Sequence, residues 1–248
     1  CARGRCVRPH WRPVQAAGFI CSSLLVMKPD ANPELILQTL ATKSSNKQLV
    51  HRRVLGAFAE LRIVVQSVAV DLNSKMVGID RSVVVEFVDR GEFEFELRFS
   101  GDSLVFQVHT NAFLLPDGHS VLDSDYVKLD SSRAYFGLIH VYNFLSDSFR
   151  MRRLNDVGTL MSRFFINGEG HHFAEGVGPL NLALTQAEVC AEDLRIWLYR
   201  LMVTAMDFDL QAAPFQAVQE VSVLALEGIR EELRQRTGKR LGFRPEGR

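Results

Sequence analysis

Polar side chains interrupt three otherwise apolar segments of the chain, and they are the residues best suited to chemistry. The set comprises four histidines, two asparagines and one glutamate: His109, Asn111, His140, Asn143, His171, His172 and Glu175. Imidazole and carboxylate groups together suit zinc or non-haem iron, whose ligands often come from neighbouring antiparallel strands. One hypothesis is therefore a metal-assisted hydrolase or nuclease that uses His109, one histidine of the pair, Glu175 and an Asp of residues 116–132.

Strand geometry argues against that hypothesis. Successive residues of a regular strand point to opposite faces of the sheet, so His171 and His172 cannot both enter one site. Isolated histidines in strands are more often hydrogen-bonded edge or surface residues than metal ligands. The interpretation that we favour contains no metal ion and no cofactor.

Motifs that carry a defined mechanism are absent from the sequence. It contains no GxxxxGK[ST], GxSxG, HExxH or CxxC, and no acid-x-Lys pattern of restriction-type nucleases. The segment GEGHHF at 168–173 begins like a dinucleotide-binding loop, but Phe173 stands in place of the third glycine and the segment lies between two predicted strands. These absences favour a binding protein over an enzyme.

Charge is unevenly distributed, although the formal net charge is zero. Residues 1–26 carry four Arg and no acidic residue, whereas residues 27–229 carry 18 basic and 26 acidic residues, a formal charge of −8. Phosphate contacts need a basic surface, so nucleic acid is not an expected partner of this acidic body. No apolar run approaches the roughly 20 residues that span a bilayer, so no membrane partner is expected either.

Residues 1–26 are predicted to be a non-native or disordered extension, and residues 27–248 a single domain that begins at Met27. The first 26 residues have neither helical nor strand periodicity. A targeting segment is the alternative, because a basic stretch followed by an apolar run is typical of one. Only Cys190 lies outside this segment, which indicates a reducing compartment and a cytoplasmic location.

The clearest element pattern runs from Val83 to Leu115, where three short segments alternate apolar and polar residues around two Gly-containing turns. In the second segment four apolar residues alternate with four charged ones: Phe93, Phe95, Leu97 and Phe99 against Glu92, Glu94, Glu96 and Arg98. This pattern predicts an antiparallel β-meander with one buried face and one face in water. A buried strand at 133–144 and a second hairpin, 161–166 with 171–175, are predicted to follow.

Helices are predicted to cover the buried face. A short helix from Pro33 to about Ala41, capped by Asn32, is followed by a polar break at 43–46 and then a long helix. The apolar residues of the long helix recur at three- and four-residue spacing: Val50, Val54, Ala57, Phe58, Leu61, Val65, Val68 and Leu72.

Two further helices are predicted to close the chain. Thr185 with Glu188 has the spacing of a capping box for the first of them, and Pro214 suits the opening turn of the second. Residues 116–132 are predicted to be a long acidic loop that contains a short strand at 126–129.

Three segments, HTNAFLLPDGHS, YFGLIHVYNFLSDSFRMRRLNDVG and FFINGEGHHFAEG, resemble a family of uncharacterised bacterial proteins over about residues 83–176. No activity is assigned to that family, so the resemblance implies no function. The element order is also similar to ligand-sensing domains of the GAF and PAS kind, but this is an analogy of fold, and fold does not imply function.

The sequence therefore predicts an α+β fold, in which an antiparallel β-meander and a second hairpin pack on a long N-terminal helix and two C-terminal helices. The predicted function is a non-enzymatic module that binds a small molecule or a protein, or that assembles as a homo-oligomer. Its pocket is expected between the sheet and residues 116–132. The candidate ligand-binding residues are His109, Asn111, Phe113, Tyr135, Tyr142, Asn143, Phe165 and Glu175.

Overall fold

The computed structural model describes residues 32–207 and 212–234, apart from the side chains of residue 229 and residues 231–234. The predicted extension at 1–26 and the predicted start at Met27 lie outside these residues. The chain divides into one unit that ends at Gln38 and a second that begins at Thr39. Helix α1 (Pro33–Thr39) has the predicted cap, because the Asn32 side chain accepts a hydrogen bond from the Leu35 N–H at 2.7 Å.

Seven antiparallel strands of the second unit form one sheet whose spatial order follows the sequence. They are β1 (Val85–Asp89), β2 (Glu94–Phe99), β3 (Asp102–Leu114), β4 (Tyr135–Leu145), β5 (Thr159–Asn167), β6 (His172–Gly176) and β7 (Leu182–Thr185). The meander, the buried strand and the second hairpin are thus confirmed, and they join into a single sheet. The predicted α+β class is confirmed as well.

Two helices cover one face of this sheet. Helix α2 (Ser45–Met76) buries its predicted stripe, including Val54 and Phe58, apart from the half-buried Leu72. Helix α5 (Ala191–Met206) packs beside it with Trp197 fully buried. The indole N–H of Trp197 donates a hydrogen bond to Ser162 Oγ at 3.3 Å, so its one polar atom is satisfied inside the core. Among the described helices, none is long and apolar enough to cross a membrane.

Several predicted boundaries are wrong. Residues 43–46 are not a break, because Leu40–Ser44 form a π-helical turn and α2 begins at Ser45. The predicted strand at 126–129 is instead a short helix, α3 (Asp125–Leu129), between the 3₁₀ turns Ser120–Asp123 and Ser131–Ala134. Its N-cap, Ser124, accepts a hydrogen bond from Val127 N–H, a local contact that outweighs strand propensity.

The C-terminal helices also begin later than predicted. Thr185 ends β7, and the capping box of α5 consists of Cys190 and Asp193, whose carboxylate accepts from the Cys190 N–H at 3.0 Å. Pro214 precedes a 3₁₀ turn, and α6 (Val223–Arg234) follows it. The apolar side chains of Val218, Val221 and Leu224, which follow Pro214, are exposed, so α5 supplies the apolar cover that was expected from both C-terminal helices.

Helix α2 lies close against the sheet at Gly137 of β4. A Cβ atom added to Gly137 would lie 2.6 Å from the Cβ of Val54, closer than carbon atoms can pack. Glycine is therefore required here by contact between elements and not by backbone conformation.

We expect Gly137→Ala to lower the free energy of unfolding by about 1–3 kcal/mol, because α2 must shift away from the sheet. Gly56→Ala, on α2 itself, is the matched control: nothing lies within 4 Å of an added Cβ there. Helix propensity predicts that this control stabilises the protein by up to about 1 kcal/mol. Urea denaturation of both variants tests the prediction, and equal effects would show that the contact at Gly137 is not tight.

Candidate functional site

The sheet face that points away from α2 and α5 is covered at one end by residues 115–134, here called the cover segment. A second apolar core fills the space between the cover segment and strands β4 to β6. Its members are Leu115, Val121, Tyr126, Val127, Ala134, Phe136, Leu138, Phe165 and Phe173. The pocket expected between the sheet and this segment is therefore occupied by packed side chains.

A hydrogen-bond network holds the cover segment in place. The Tyr126 hydroxyl donates to Glu169 at 2.7 Å and accepts from Asn167 Nδ2 at 2.7 Å, while Arg133 Nε donates to Glu169 at 2.9 Å. Burial and the hydrogen bond to Glu169 raise the pKa of Tyr126 to about 12. The hydroxyl therefore keeps its proton at neutral pH, and this donor stays available to the network.

The opposite end of the same face is closed around a buried carboxylate. Glu96 is 0% exposed and accepts hydrogen bonds from Arg90, Arg98 and Ser103, with a distance of 2.7 Å from Arg90 Nε. Burial alone would raise the pKa of Glu96, but the hydrogen bonds from Arg98, Ser103 and Arg90 outweigh it and hold that pKa below its ordinary value.

The period-two pattern predicted Glu96 on a face in water, and that prediction is wrong. Helix α4 (Ser146–Arg150) lies at this end of the sheet. It places the ring centroid of Phe149 4.3 Å from the guanidinium carbon of Arg90. Phe149 also packs edge-on against Phe144 at 5.1 Å between ring centroids. A charged residue on the polar face of a strand is thus buried by an element outside that strand.

Between these two covered ends, no element of the described part of the chain covers the middle of the face. Every second residue of β4 points to this face. Along the strand, these residues lie first in the second core, then in the gap, and finally against α4. In order they are Phe136, Leu138, His140, Tyr142 and Phe144. His140 and Tyr142 are half-buried, and their rings lie 5.7 Å apart between centroids.

Strand pairing extends the gap across five strands at the level of His140. The register aligns Glu94 with Gln107, Gln107 with His140, His140 with Arg163, and Arg163 with Glu175. Directly opposed residues share a face, with Cβ atoms about 4.5–5.5 Å apart. We call these five residues, with His109 and Tyr142, the open strip.

Three side chains at the centre of the open strip carry polar atoms that have no hydrogen-bond partner among the described residues. His109 Nδ1 accepts from the Asn111 N–H at 3.2 Å, so the neutral ring holds its proton on Nε2. Within the described residues, His109 Nε2, both His140 ring nitrogens and the Tyr142 hydroxyl make no hydrogen bond.

The acidic ends of the open strip are already paired with cations. Glu175 forms an ion pair with Arg163 and accepts a hydrogen bond from His119 Nε2 at 2.9 Å. At the other end, the Glu94 carboxylate lies 3.9 Å from Arg90 Nε. The carboxylates therefore do not set the charge at the centre of the strip.

The charges that act on His140 are positive. Burial contributes most, and the positive charges of Arg163 and His109 add to it, so the pKa of His140 lies below its ordinary value. His140 is therefore mainly neutral at pH 7, in a site where another positive charge is disfavoured.

A shallow cavity of about 410 Å³ adjoins the open strip at β2 and β3. Its lining residues are Arg90, Glu92, Phe93, Glu94, Gln107, Val108, His109 and Thr110. The volume falls within the roughly 300–1,000 Å³ typical of small-ligand sites. A larger cleft of about 780 Å³ lies beside α4, but the charged Arg98 and Glu86 in its wall are 3.3 Å apart and pair with each other.

The structure brings together some of the predicted ligand-binding residues. His109, Tyr142 and Glu175 belong to the open strip, and Phe113 and Phe165 pack in the second core beside it. Three other candidates lie outside the strip. Asn111 is exposed in a β-bulge, and the Tyr135 ring lies 5.6 Å from Lys47 Nζ of α2. The side-chain amide of Asn143 donates a hydrogen bond to Asp102 at 3.2 Å.

The residues of the metal hypothesis do not converge. His172 is buried in the helix-facing core and stacks on Phe164 at 5.2 Å, whereas Glu175 pairs with His119 and Arg163 on the opposite face. In the part of the chain that the structure describes, no group of three or more His, Cys, Asp or Glu residues could hold a metal ion.

Sequence reasoning left four members of the open strip out of the candidate list: Glu94, Gln107, His140 and Arg163. The available signal was the parity of His140 and Tyr142 on β4, because residues two apart share a face. Arg163 and Gln107 carried no comparable signal, since only the strand register places them beside His140.

No family model matches the chain, and no curated protein or solved structure is significantly similar to it. The resemblance to a bacterial family over about residues 83–176 stays a hypothesis, so the function is inferred from the geometry of the open strip.

Proposed function

We propose that this protein is a non-enzymatic binding module that holds a small ligand on the open strip of its sheet. The observation that carries the proposal is a cluster of polar atoms on His109, His140 and Tyr142, in a gap between two covered regions, that have no hydrogen-bond partner within residues 32–207 and 212–234. Polar groups that are half-buried and unpaired lose free energy unless a ligand or water satisfies them. The aromatic rings beside them supply flat apolar surface for the body of a ligand.

Rigidity supports binding at this place. The strip residues are on paired strands and not on loops, and both ends of the face are fixed by packed side chains and by the Glu96 and Tyr126 networks. A site on strands keeps its geometry when it is empty, which lowers the entropy cost of binding.

The same geometry favours binding over catalysis. A nucleophile needs an adjacent base, yet no Ser, Thr or Cys of the described residues hydrogen-bonds to His109 or His140. The metal-assisted alternative lacks a cluster of ligands in the described part of the chain. The proposed location is the cytoplasm, because Cys190, the only cysteine among the described residues, is a free thiol.

A fragment screen by NMR tests the proposal. The ¹⁵N-labelled protein is titrated with a library that contains equal numbers of neutral, anionic and cationic aromatic fragments. We expect the hits to shift backbone signals at 107–109, 140–142 and 163. Hits that map only to the cleft beside α4, or to the helix layer, would contradict the proposal.

Tyr142→Ala should weaken the best hit by about tenfold or more, because it removes both a ring face and a hydroxyl. The matched control is Tyr199→Ala on α5, a tyrosine that is 42% exposed on the helix layer. The control should leave the dissociation constant unchanged. Equal losses in both variants would mean that the change at Tyr142 acts through stability and not through contact with the fragment.

A further inference from the structure

We propose that the ligand group recognised by the open strip is a carboxylate, held by His109, His140 and Tyr142. This inference depends on the proposed function and specifies its ligand class. The hydrogen-bonding groups of the strip match those of a carboxylate, because a carboxylate has two acceptor oxygens and the strip has donors. A neutral histidine donates one hydrogen bond and a protonated histidine donates two, and the tyrosine hydroxyl donates one more.

The charges around the strip also favour an anionic ligand. The body of the chain is acidic, with a formal charge of −8 over residues 27–229. Yet the acidic groups of the strip already have cationic partners, because Glu175 pairs with Arg163 and His119 and Glu94 lies near Arg90. His109 and His140 have no carboxylate partner among the described residues. The ring N–H groups of these histidines are therefore available to donate to an incoming anion.

The groups that face His140 come from several elements. Arg163 and Glu175 approach from β5 and β6, Glu94, Gln107 and His109 from β2 and β3, and His119 from the cover segment. The adjoining cavity is lined by two acidic side chains, Glu94 and Glu92. Glu94 lies near Arg90, whereas Glu92 has no cationic partner among the described residues. The two charges that lower the pKa of His140 are both positive, from Arg163 and His109. A bound anion would offset them.

Size separates a carboxylate from a larger oxyanion. The donors belong to two adjacent strands, with His109 diagonal to His140, and diagonal neighbours on one face have Cα atoms only about 7–8 Å apart. The ring faces of His140 and Tyr142 lie beside them. A planar carboxylate attached to a flat body fits these donors and faces, whereas phosphate is better served by an Arg fork, and Arg163 is already paired with Glu175.

Binding should be coupled to proton uptake. An anion beside His140 stabilises the imidazolium and raises the pKa of His140 from its lowered value in the free protein. A rise of one unit makes binding about tenfold tighter at a pH below both pKa values than at a pH above them. We therefore expect benzoate to bind more tightly at pH 5.5 than at pH 8.5, by up to about tenfold.

The experiment compares probes of one shape and different charge on the full chain. Benzoate, its neutral isostere benzamide and the cation benzamidine are titrated while the imidazole signals of His109 and His140 are followed by NMR. We expect benzoate to bind at least tenfold more tightly than benzamide, with shifts at both histidines. Inorganic phosphate is the fourth probe, and we expect it to bind more weakly than benzoate.

Variants assign the effect to the strip. His140→Gln keeps a donor but cannot be protonated, so it should abolish the pH dependence of benzoate binding while the protein stays folded. His51→Gln on α2 is the control and should leave that pH dependence intact. A dependence that survives in His140→Gln would overturn the role of His140.

The outcomes for the two proposals are separable. If benzamide or benzamidine binds the strip as tightly as benzoate, the carboxylate inference is wrong and the binding function stands. Tighter binding of phosphate than of benzoate would also overturn the carboxylate assignment. If no fragment of any charge shifts the strip signals, both proposals fail.

Discussion

Replacement of Phe95 by alanine should lower the free energy of unfolding by about 3–5 kcal/mol, the cost of removing a large aromatic side chain from a core. Phe95 is 0% exposed and is the second residue of β2. Its ring lies 4.8 Å from that of Phe106, 4.9 Å from Phe58 of α2 and 5.5 Å from Phe87. The cavity would therefore open at the junction of three strands and the long helix, where no single neighbour can refill it.

Glu94→Ala is the matched control for Phe95→Ala, since it changes the adjacent residue on the opposite face of the same strand. Glu94 lies 3.9 Å from Arg90 Nε and is partly exposed, so its loss should change the free energy of unfolding by no more than about 0.5 kcal/mol. Urea denaturation at neutral pH measures both values. A cost for Glu94→Ala that matches Phe95→Ala would show that the open strip is closed at this strand.

Glu96→Gln should cost about 3 kcal/mol, at the lower end of what breaking a buried ion pair costs. Glutamine keeps the size of the side chain, but it leaves Arg90 and Arg98 without their shared carboxylate. The side chains of these arginines are 26% and 17% exposed, so water can recover part of the loss. This recovery is the reason for choosing the lower figure.

The control for Glu96→Gln is Glu86→Gln, which removes the other carboxylate that pairs with Arg98. Glu86 lies 3.3 Å from Arg98 Nη1, but its side chain is 55% exposed. A pair of this kind contributes only about 0–1 kcal/mol in water. If the two variants lost equal stability, the burial of Glu96 would have no energetic consequence and the network at this end of the sheet would be misjudged.

Acid should remove the contribution of Glu96. Its pKa in the folded protein lies below the ordinary value because the hydrogen bonds from Arg98, Ser103 and Arg90 outweigh the effect of burial. A carboxyl group with a lowered folded pKa stabilises the protein fully above its unfolded pKa, near 4.3, and loses that effect as the pH falls through the folded value. The stability difference between wild type and Glu96→Gln should therefore shrink from pH 7 to pH 3. A difference that stayed constant would contradict the lowered pKa.

The α+β class, the stripe of α2 and most strands could be predicted from the sequence because each depends on local periodicity. Phe95 and Leu97 alternate with charged residues, and Val54, Phe58 and Leu61 recur at helical spacing, so one face of each element had to be buried. Short elements were less predictable: α3 is helical because Ser124 caps it, and β7 pairs with β6 although it has only four residues.

The sequence by itself determined which residues share a face of a strand, and only the tertiary structure decided what covers that face. Glu94 and Glu96 have the same parity on β2, yet α4 and two arginines bury Glu96 while Glu94 stays at the edge of the open strip. The five-strand row through His140 likewise depends on register between segments up to 81 residues apart, from Glu94 to Glu175. Periodicity within a strand contains no information about its partners, because side-chain alternation is local whereas pairing and cover are set by long-range packing.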